Sequence, residues 1–151
     1  MHQRLARQRV LDYLDAFFAG DVARAQECCD DEFDSITYAP IELFPHLGHK
    51  HGKAWVAEAI RIQQERYRSR RSEIKFIAVD GLKVATMQRI FMEKRNDRRL
   101  LQIDVAEFFT LHDGRIIEHR SFFDSFDLIE QLLGRDLTVG LAAVVQGATR
   151  T

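Results

Sequence analysis

The apolar residues Leu5, Val10, Leu11, Leu14, Phe17 and Phe18 recur at helical spacing, the period of a helix that buries one face. Gly20 predicts its end, and Asp21 is placed to cap a second, short helix running through Ala25 towards Cys29. Phe33 to Tyr38 reads as a strand bounded by Pro40, and residues 41–51 read as a loop. After Gly52, the residues Trp55, Val56, Ala59, Ile60 and Ile62 share one side of a third helix. The run Arg66-Tyr67-Arg68-Ser69-Arg70-Arg71 is expected to close that helix, as cations at its C-terminus and a solvated loop.

From there the period changes to two. Ile74, Phe76 and Ala78 alternate with their neighbours, and Asp80-Gly81 predicts a hairpin turn. Val84 to Glu93 forms a longer strand, Asn96-Asp97 turns it, and Leu100 to Leu111 returns. Asp113-Gly114 turns again into Arg115 to Phe123, and Asp124 is placed to cap a last helix, Phe126 to Leu133, that Gly134 ends. Three helices followed by a meander predict an α+β fold, with a curved antiparallel sheet wrapped on the N-terminal helices. Residues 1–136 read as one domain. The tail 137–151 is apolar around Gly140 and is expected to pack on the domain or on a partner chain.

Composition narrows the function classes. The chain has 151 residues, enough for one domain, and its 22 basic and 23 acidic residues leave a net charge of −1. That balance offers nothing to nucleic acid, and no apolar run approaches the roughly 20 residues of a membrane span. The N-terminus shows no secretory core, and Cys28 and Cys29, being adjacent, read as small buried residues of a reduced, cytoplasmic protein. His46, His49 and His51 match no zinc spacing, so no metal and no cofactor is expected; the loop is read as the rim of a pocket.

Four stretches, taken in order, resemble a known family: Phe17-Phe18-Ala19-Gly20-Asp21-Val22, Gly52-Lys53-Ala54-Trp55, Asp113-Gly114-Arg115-Ile116 and Arg120-Ser121-Phe122-Phe123-Asp124. The resemblance is to the SnoaL-like branch of the nuclear-transport-factor-2-like superfamily, whose members include ketosteroid isomerases, polyketide cyclases and epoxide hydrolases. It spans about Arg9 to Leu133 and implies a cone-shaped (cystatin-like) fold closed around a deep pocket for a small hydrophobic molecule. Similarity to ketosteroid isomerases implies that Tyr13 and Glu107 stand where those enzymes keep the two donors of an oxyanion hole, one of them a neutral carboxylic acid. Ala39 replaces their proton-abstracting aspartate. Similarity to limonene-type epoxide hydrolases matches Tyr38 and Arg89 to a site tyrosine and arginine, whereas Pro40, Phe91 and Ser121 replace the asparagine and both aspartates. Ser121 also takes the place of the acid/base aspartate of polyketide cyclases.

Anchored on the family's inward positions, strand alternation predicts which side chains face the pocket. His119, Ser121 and Phe123 point inward on the last strand, and Ile103, Val105, Glu107 and Phe109 on its neighbour. Arg89 and Phe91 are expected inward on the preceding strand, and Asp34, Ile36 and Tyr38 on the first, with Tyr13, Phe17 and Trp55 from the helices. Glu107 interrupts an apolar face. Burial would raise its pKa unless Arg89 or His119 pairs with it, so it reads either as an acid/base or as half of a structural pair. Tyr13 and His119 complete the candidate catalytic set; Phe17, Tyr38, Trp55, Arg89, Phe91, Ser121 and Phe123 are candidate ligand contacts. Three readings stay open: a ligand-binding domain, a pocket enzyme of the isomerase or hydrolase type, and a non-catalytic scaffold. Phe108 and Phe122 on the opposite sheet face predict a homodimer through that face.

Overall fold

A computed structural model describes residues 2–149 of the chain; Met1, Arg150 and Thr151, the ends of the expected domain and tail, lie outside them. The first helix, α1 (His2–Ala19), buries Ala6, Val10, Tyr13, Leu14 and Ala16; of the expected stripe Val10 and Leu14 are buried, Leu11, Phe17 and Phe18 are half-buried, and Leu5 is 61% exposed. It stops at Gly20, whose φ of +77° suits a residue without Cβ. Asp21 caps α2 (Val22–Glu27), its side chain accepting from the Arg24 amide at 3.2 Å. Then follow β1 (Cys29–Tyr38), β2 (Gly48–His51), α3 (Ala54–Arg66), β3 (Tyr67–Asp80), β4 (Lys83–Lys94), β5 (Leu100–His112) and β6 (Arg115–Phe123). Asp124 caps α4 (Ser125–Leu133) through the Asp127 amide at 3.0 Å, and α5 (Thr138–Thr149) ends the described chain.

The six strands form one curved, open sheet in the order β2-β1-β6-β5-β4-β3. β1 runs parallel to β6 and every other pair is antiparallel, so the sheet is mixed and not the purely antiparallel one expected. β1 and β6 are distant in sequence, joined through the four intervening strands and α3, and no hairpin constrains their direction. The helices close one face of the sheet and give the α+β cone. One apolar cluster, including Val10, Leu14, Phe33, Ile60, Phe109 and Ile116, fills the end where α1, α2 and α3 meet the sheet. A second, with Phe44, Ile90, Met92, Leu101, Val105 and Leu128, lines the end under α4.

Two expectations about elements are corrected. The arginine run is not a loop: Tyr67 to Arg71 are the first residues of β3 and pair with Phe91 to Lys94 of β4. Its alternation is hidden because the outward side chains are arginines, held by Glu93 and by the ring of Phe91, 4.1 Å below the Arg71 guanidinium. The loop after Pro40 also contains a strand. β2 pairs with β1, and His49 and His51 are tied to Asp34 at 2.5 Å and to Glu32 at 3.0 Å. The tail forms α5, whose apolar side chains stand in solvent, Val139 being 81% exposed. Among the described residues no helix is long and apolar enough to cross a membrane.

Candidate functional site

Between the two apolar clusters lies a cavity of about 520 Å³, walled by α1, α3, α4 and the inner face of the sheet. The sheet supplies Phe33, Ser35 and Thr37 from β1, Gln88, Ile90 and Met92 from β4, Ile103, Val105 and Glu107 from β5, and His119, Ser121 and Phe123 from β6. Tyr13, Phe17 and Trp55 come from the helices, as expected. The strand phase follows from pairing: side chains directly opposite in an antiparallel ladder share a face. Glu107 opposes Ser121 on one side and Thr86 on the other, which sets the even-numbered residues of β4 inward.

Tyr38, Arg89 and Phe91 therefore do not reach the cavity. Tyr38 is 47% exposed on the outer face, stacked on Phe122 with ring centroids 4.4 Å apart. Arg89 pairs with Asp104 at 2.9 Å on that same face, and Phe91 lies beneath Arg71. Asp34 and Ile36 point outward with them. The implied match of Tyr38 and Arg89 to an epoxide-hydrolase site fails on orientation, in addition to the missing aspartates.

A continuous hydrogen-bonded line of polar side chains runs through the sheet wall of the cavity. Ser72 donates to the Gln88 Oε1, and Gln88 Nε2 donates to Glu107 Oε1. Glu107 Oε2 lies 2.5 Å from His119 Nε2, and His119 Nδ1 lies 2.9 Å from Ser35 Oγ. Gln88 is fully buried, Glu107 and Ser35 nearly so. The line has a direction. The Glu107 carboxylate can only accept, so it draws the Gln88 NH2 towards itself and leaves the Gln88 Oε1 to accept from the Ser72 hydroxyl. The Glu107 carboxylate then accepts twice, once from Gln88 and once from His119 Nε2–H. In the neutral imidazole that leaves Nδ1 as the acceptor, filled by the Ser35 hydroxyl. Of the two partners the sequence offered Glu107, the structure selects His119 and excludes Arg89.

His119 sits among aromatic rings, with Phe109 5.0 Å away, Phe33 stacked at 6.2 Å and Tyr13 at 6.5 Å. Tyr13 does not bond to Glu107, whose oxygens are both occupied, and its hydroxyl makes no hydrogen bond to any described residue. Burial, reinforced by Cys29, Glu107 and Cys28, raises its pKa well above the ordinary tyrosine value, so it remains a protonated donor facing the cavity. Ser121 lines the wall, but the hydroxyl that His119 holds is Ser35, which sequence reasoning missed together with Gln88 and Ser72. Cys28 and Cys29 are buried in the apolar end, and burial pushes the Cys29 thiol up to about 12. No cluster of metal-ligating side chains occurs among the described residues.

A SnoaL-like domain matches residues 10–119, most of the chain. The chain belongs to the SnoaL-like family. No curated protein matches it. Among solved structures it is similar to a protein described as a candidate isomerase from Rhodopseudomonas palustris, with 28% identity, a TM-score of 0.76, and coverage of 86% of this chain and 97% of that one. It is also similar to an LEH-like epoxide hydrolase from M. tuberculosis, with 22% identity, TM-score 0.71, and coverage of 94% of this chain and 99% of that one. A nuclear-transport-factor-2-like protein of unknown function from Burkholderia pseudomallei K96243 gives 16% identity, TM-score 0.76, and coverage of 84% and 96%. These last two likenesses establish the cone-shaped fold. In this SnoaL-like chain the inner face carries the Glu107–His119–Ser35 line.

Proposed function

We propose that the protein binds a small, largely apolar molecule in the cavity and moves a proton on it, with His119 as general base. The observation that carries the proposal is the position of His119 between Ser35 and Glu107 on the wall of a largely apolar chamber. Nδ1 is the site at which the reacting proton arrives. A substrate C–H or O–H, or a water molecule, delivers it directly after the Ser35 side chain rotates away, or through the Ser35 hydroxyl as that group hands its own proton on. Glu107 stabilises the resulting imidazolium, and Gln88 and Ser72 hold Glu107 in place. Tyr13 supplies a donor for negative charge developing on a substrate oxygen. The reaction class is isomerisation, or hydrolysis by an activated water.

A panel of small enones, epoxides and esters tests the proposal. Turnover should depend on His119, with His119→Gln lowering kcat by about 10²–10⁴-fold while ligand binding persists. A substrate turned over equally well by His119→Gln would remove His119 from the chemistry.

The outer sheet face supports a second proposal, a homodimer formed through it. Tyr38, Phe122, Ala106, Met87 and Phe76 form a cross-strand row over β1, β6, β5, β4 and β3, with Phe108 beside it. Phe76 is 58% and Phe108 50% exposed in the single chain. An apolar band of this width is of the kind that a second copy covers.

A further inference from the structure

At its open end the cavity changes character. The exposed lining residues there include Arg66 at the end of α3 and Arg95 in the β4–β5 turn, with Lys50 of β2 close by. Backbone and side-chain bonds hold two of these together: the Arg95 amide donates to the Arg66 carbonyl at 3.0 Å, and Arg95 Nε donates to the Gln64 carbonyl at 2.8 Å. Lys94, also in the lining, is neutralised by Asp97 at 3.1 Å. Arg66, Lys50 and Arg95 have no carboxylate partner among the described residues. Lys50 instead lies over the Trp55 ring, 4.9 Å from its centre. Glu65, the carboxylate of this rim, is held by Arg61.

His46 reports the same concentration of positive charge from inside. It lines the cavity, and its Nδ1 is buried with no hydrogen-bond partner. Burial first, then Arg66 and Lys50, push its pKa below the ordinary histidine value. A neutral ring with an idle nitrogen, faced by cations from α3 and β2, is a set of groups that lacks its anion.

We infer that the cavity takes an amphipathic anion, an apolar body directed at His119 with a carboxylate held at the mouth by Arg66, Lys50 and Arg95. The inference rests on the reading of the cavity as a ligand site and adds the class of ligand. The carboxylate accepts from the Arg66 guanidinium and the Lys50 ammonium, and His46 closes the apolar side of the same corner. Binding at the rim fixes which end of the molecule reaches the base, so the charged group acts as a positioning handle and stays clear of the chemistry.

The test uses one matched pair of probes, 4-cyclohexylbutanoate and its neutral amide, titrated against the full chain. Trp55 is the only tryptophan and lines the cavity, so its fluorescence reads occupancy. The carboxylate should bind about tenfold more tightly than the amide at low salt, and the gap should shrink as salt rises. Arg66→Gln should weaken the carboxylate about threefold, and Arg66→Gln with Lys50→Gln about tenfold, leaving the amide unchanged. By NMR, the His46 ring should titrate at higher pH with the carboxylate bound and not with the amide. If the amide binds and the carboxylate binds no better, the cavity stands as a ligand site and the anion inference falls. If neither probe binds, both fall. Equal weakening of the two probes by the charge variants also overturns the inference, because it would assign the cations to folding.

Discussion

Replacing Glu107 by glutamine should reverse the direction of the hydrogen-bonded line without breaking it. In the native chain Gln88 Nε2 donates to one carboxylate oxygen and His119 Nε2–H to the other. In Glu107→Gln the amide oxygen still accepts from Gln88, but the amide NH2 now faces His119 Nε2, which must accept. The ring hydrogen moves to Nδ1, which donates to Ser35 Oγ, and the base is lost although each group keeps a partner. Stability should change by no more than about 1 kcal/mol, the usual net worth of one such bond. Glu107→Ala behaves differently. It leaves the buried Gln88 Nε2 and one His119 nitrogen without partners, each costing about 1–3 kcal/mol, for a total of roughly 3 kcal/mol. For a domain of 151 residues that lowers Tm by about 6–12 °C. Differential scanning calorimetry of the two variants, with two-bond ¹H–¹⁵N correlation of His119 in its neutral form, reads both effects. The reasoning is refuted if His119 keeps its hydrogen on Nε2 in Glu107→Gln, or if Glu107→Gln loses as much Tm as Glu107→Ala. Where a substrate is in hand, Glu107→Gln should lower kcat by at least the 10²–10⁴-fold of a lost general base.

Three further outcomes are expected. Thr86 is 3% exposed and its Oγ1 is buried without a partner, so Thr86→Val should raise stability by about 1 kcal/mol in urea unfolding; a loss would mean that the hydroxyl is satisfied. Phe122→Glu, on the outer row, should give a monomer by light scattering at micromolar concentration if the native chain is a dimer; a native monomer would end the dimer proposal. The clasp of β2 on β1 should depend on pH in two opposite ways. Hydrogen bonds to Glu32 and then Asp34 raise the His51 pKa, so its contribution is complete below about 6.5, the free histidine value, and is lost as pH rises through the raised one. Asp34 is lowered, first by its bond from His49, so its contribution is present above about 3.8 and is lost as pH falls through the lowered value. Amides of β2 should therefore be best protected between these limits, and NMR titration of His51 should fall towards the free value in Asp34→Asn. A His51 that titrates at or below the free value would contradict the clasp.

The candidate site was half legible. β5 and β6 take their phase from the inward positions that the family resemblance implies, and that phase brings Glu107, His119 and Ser121 to one wall. β4 differs from the expected phase because apolar residues occupy both of its faces, Met87 and Phe91 outward as Ile90 and Met92 inward. The information was nonetheless present: Thr86 and Glu107 lie equally far from the middle of the Asn96-Asp97 turn, and they are partners in the ladder. Centring the hairpin on that turn would have set Gln88 inward and Arg89 outward. β1 offers no such route, since its parallel partner β6 is reached through about half of the chain.

By itself the sequence determined α1 to α4, the caps at Asp21 and Asp124 and the hairpin turns, all of which rest on residues close in the chain, and the family through the order of four short stretches. Only the tertiary structure decided that Ser35 meets His119, that Gln88 supports Glu107, and that Arg66, Lys50 and Arg95 gather at one mouth. Those groups come from strands and helix ends far apart in sequence, and their meeting depends on the register of a curved, mixed sheet. Local periodicity constrains the face of each strand; pairing decides which faces meet.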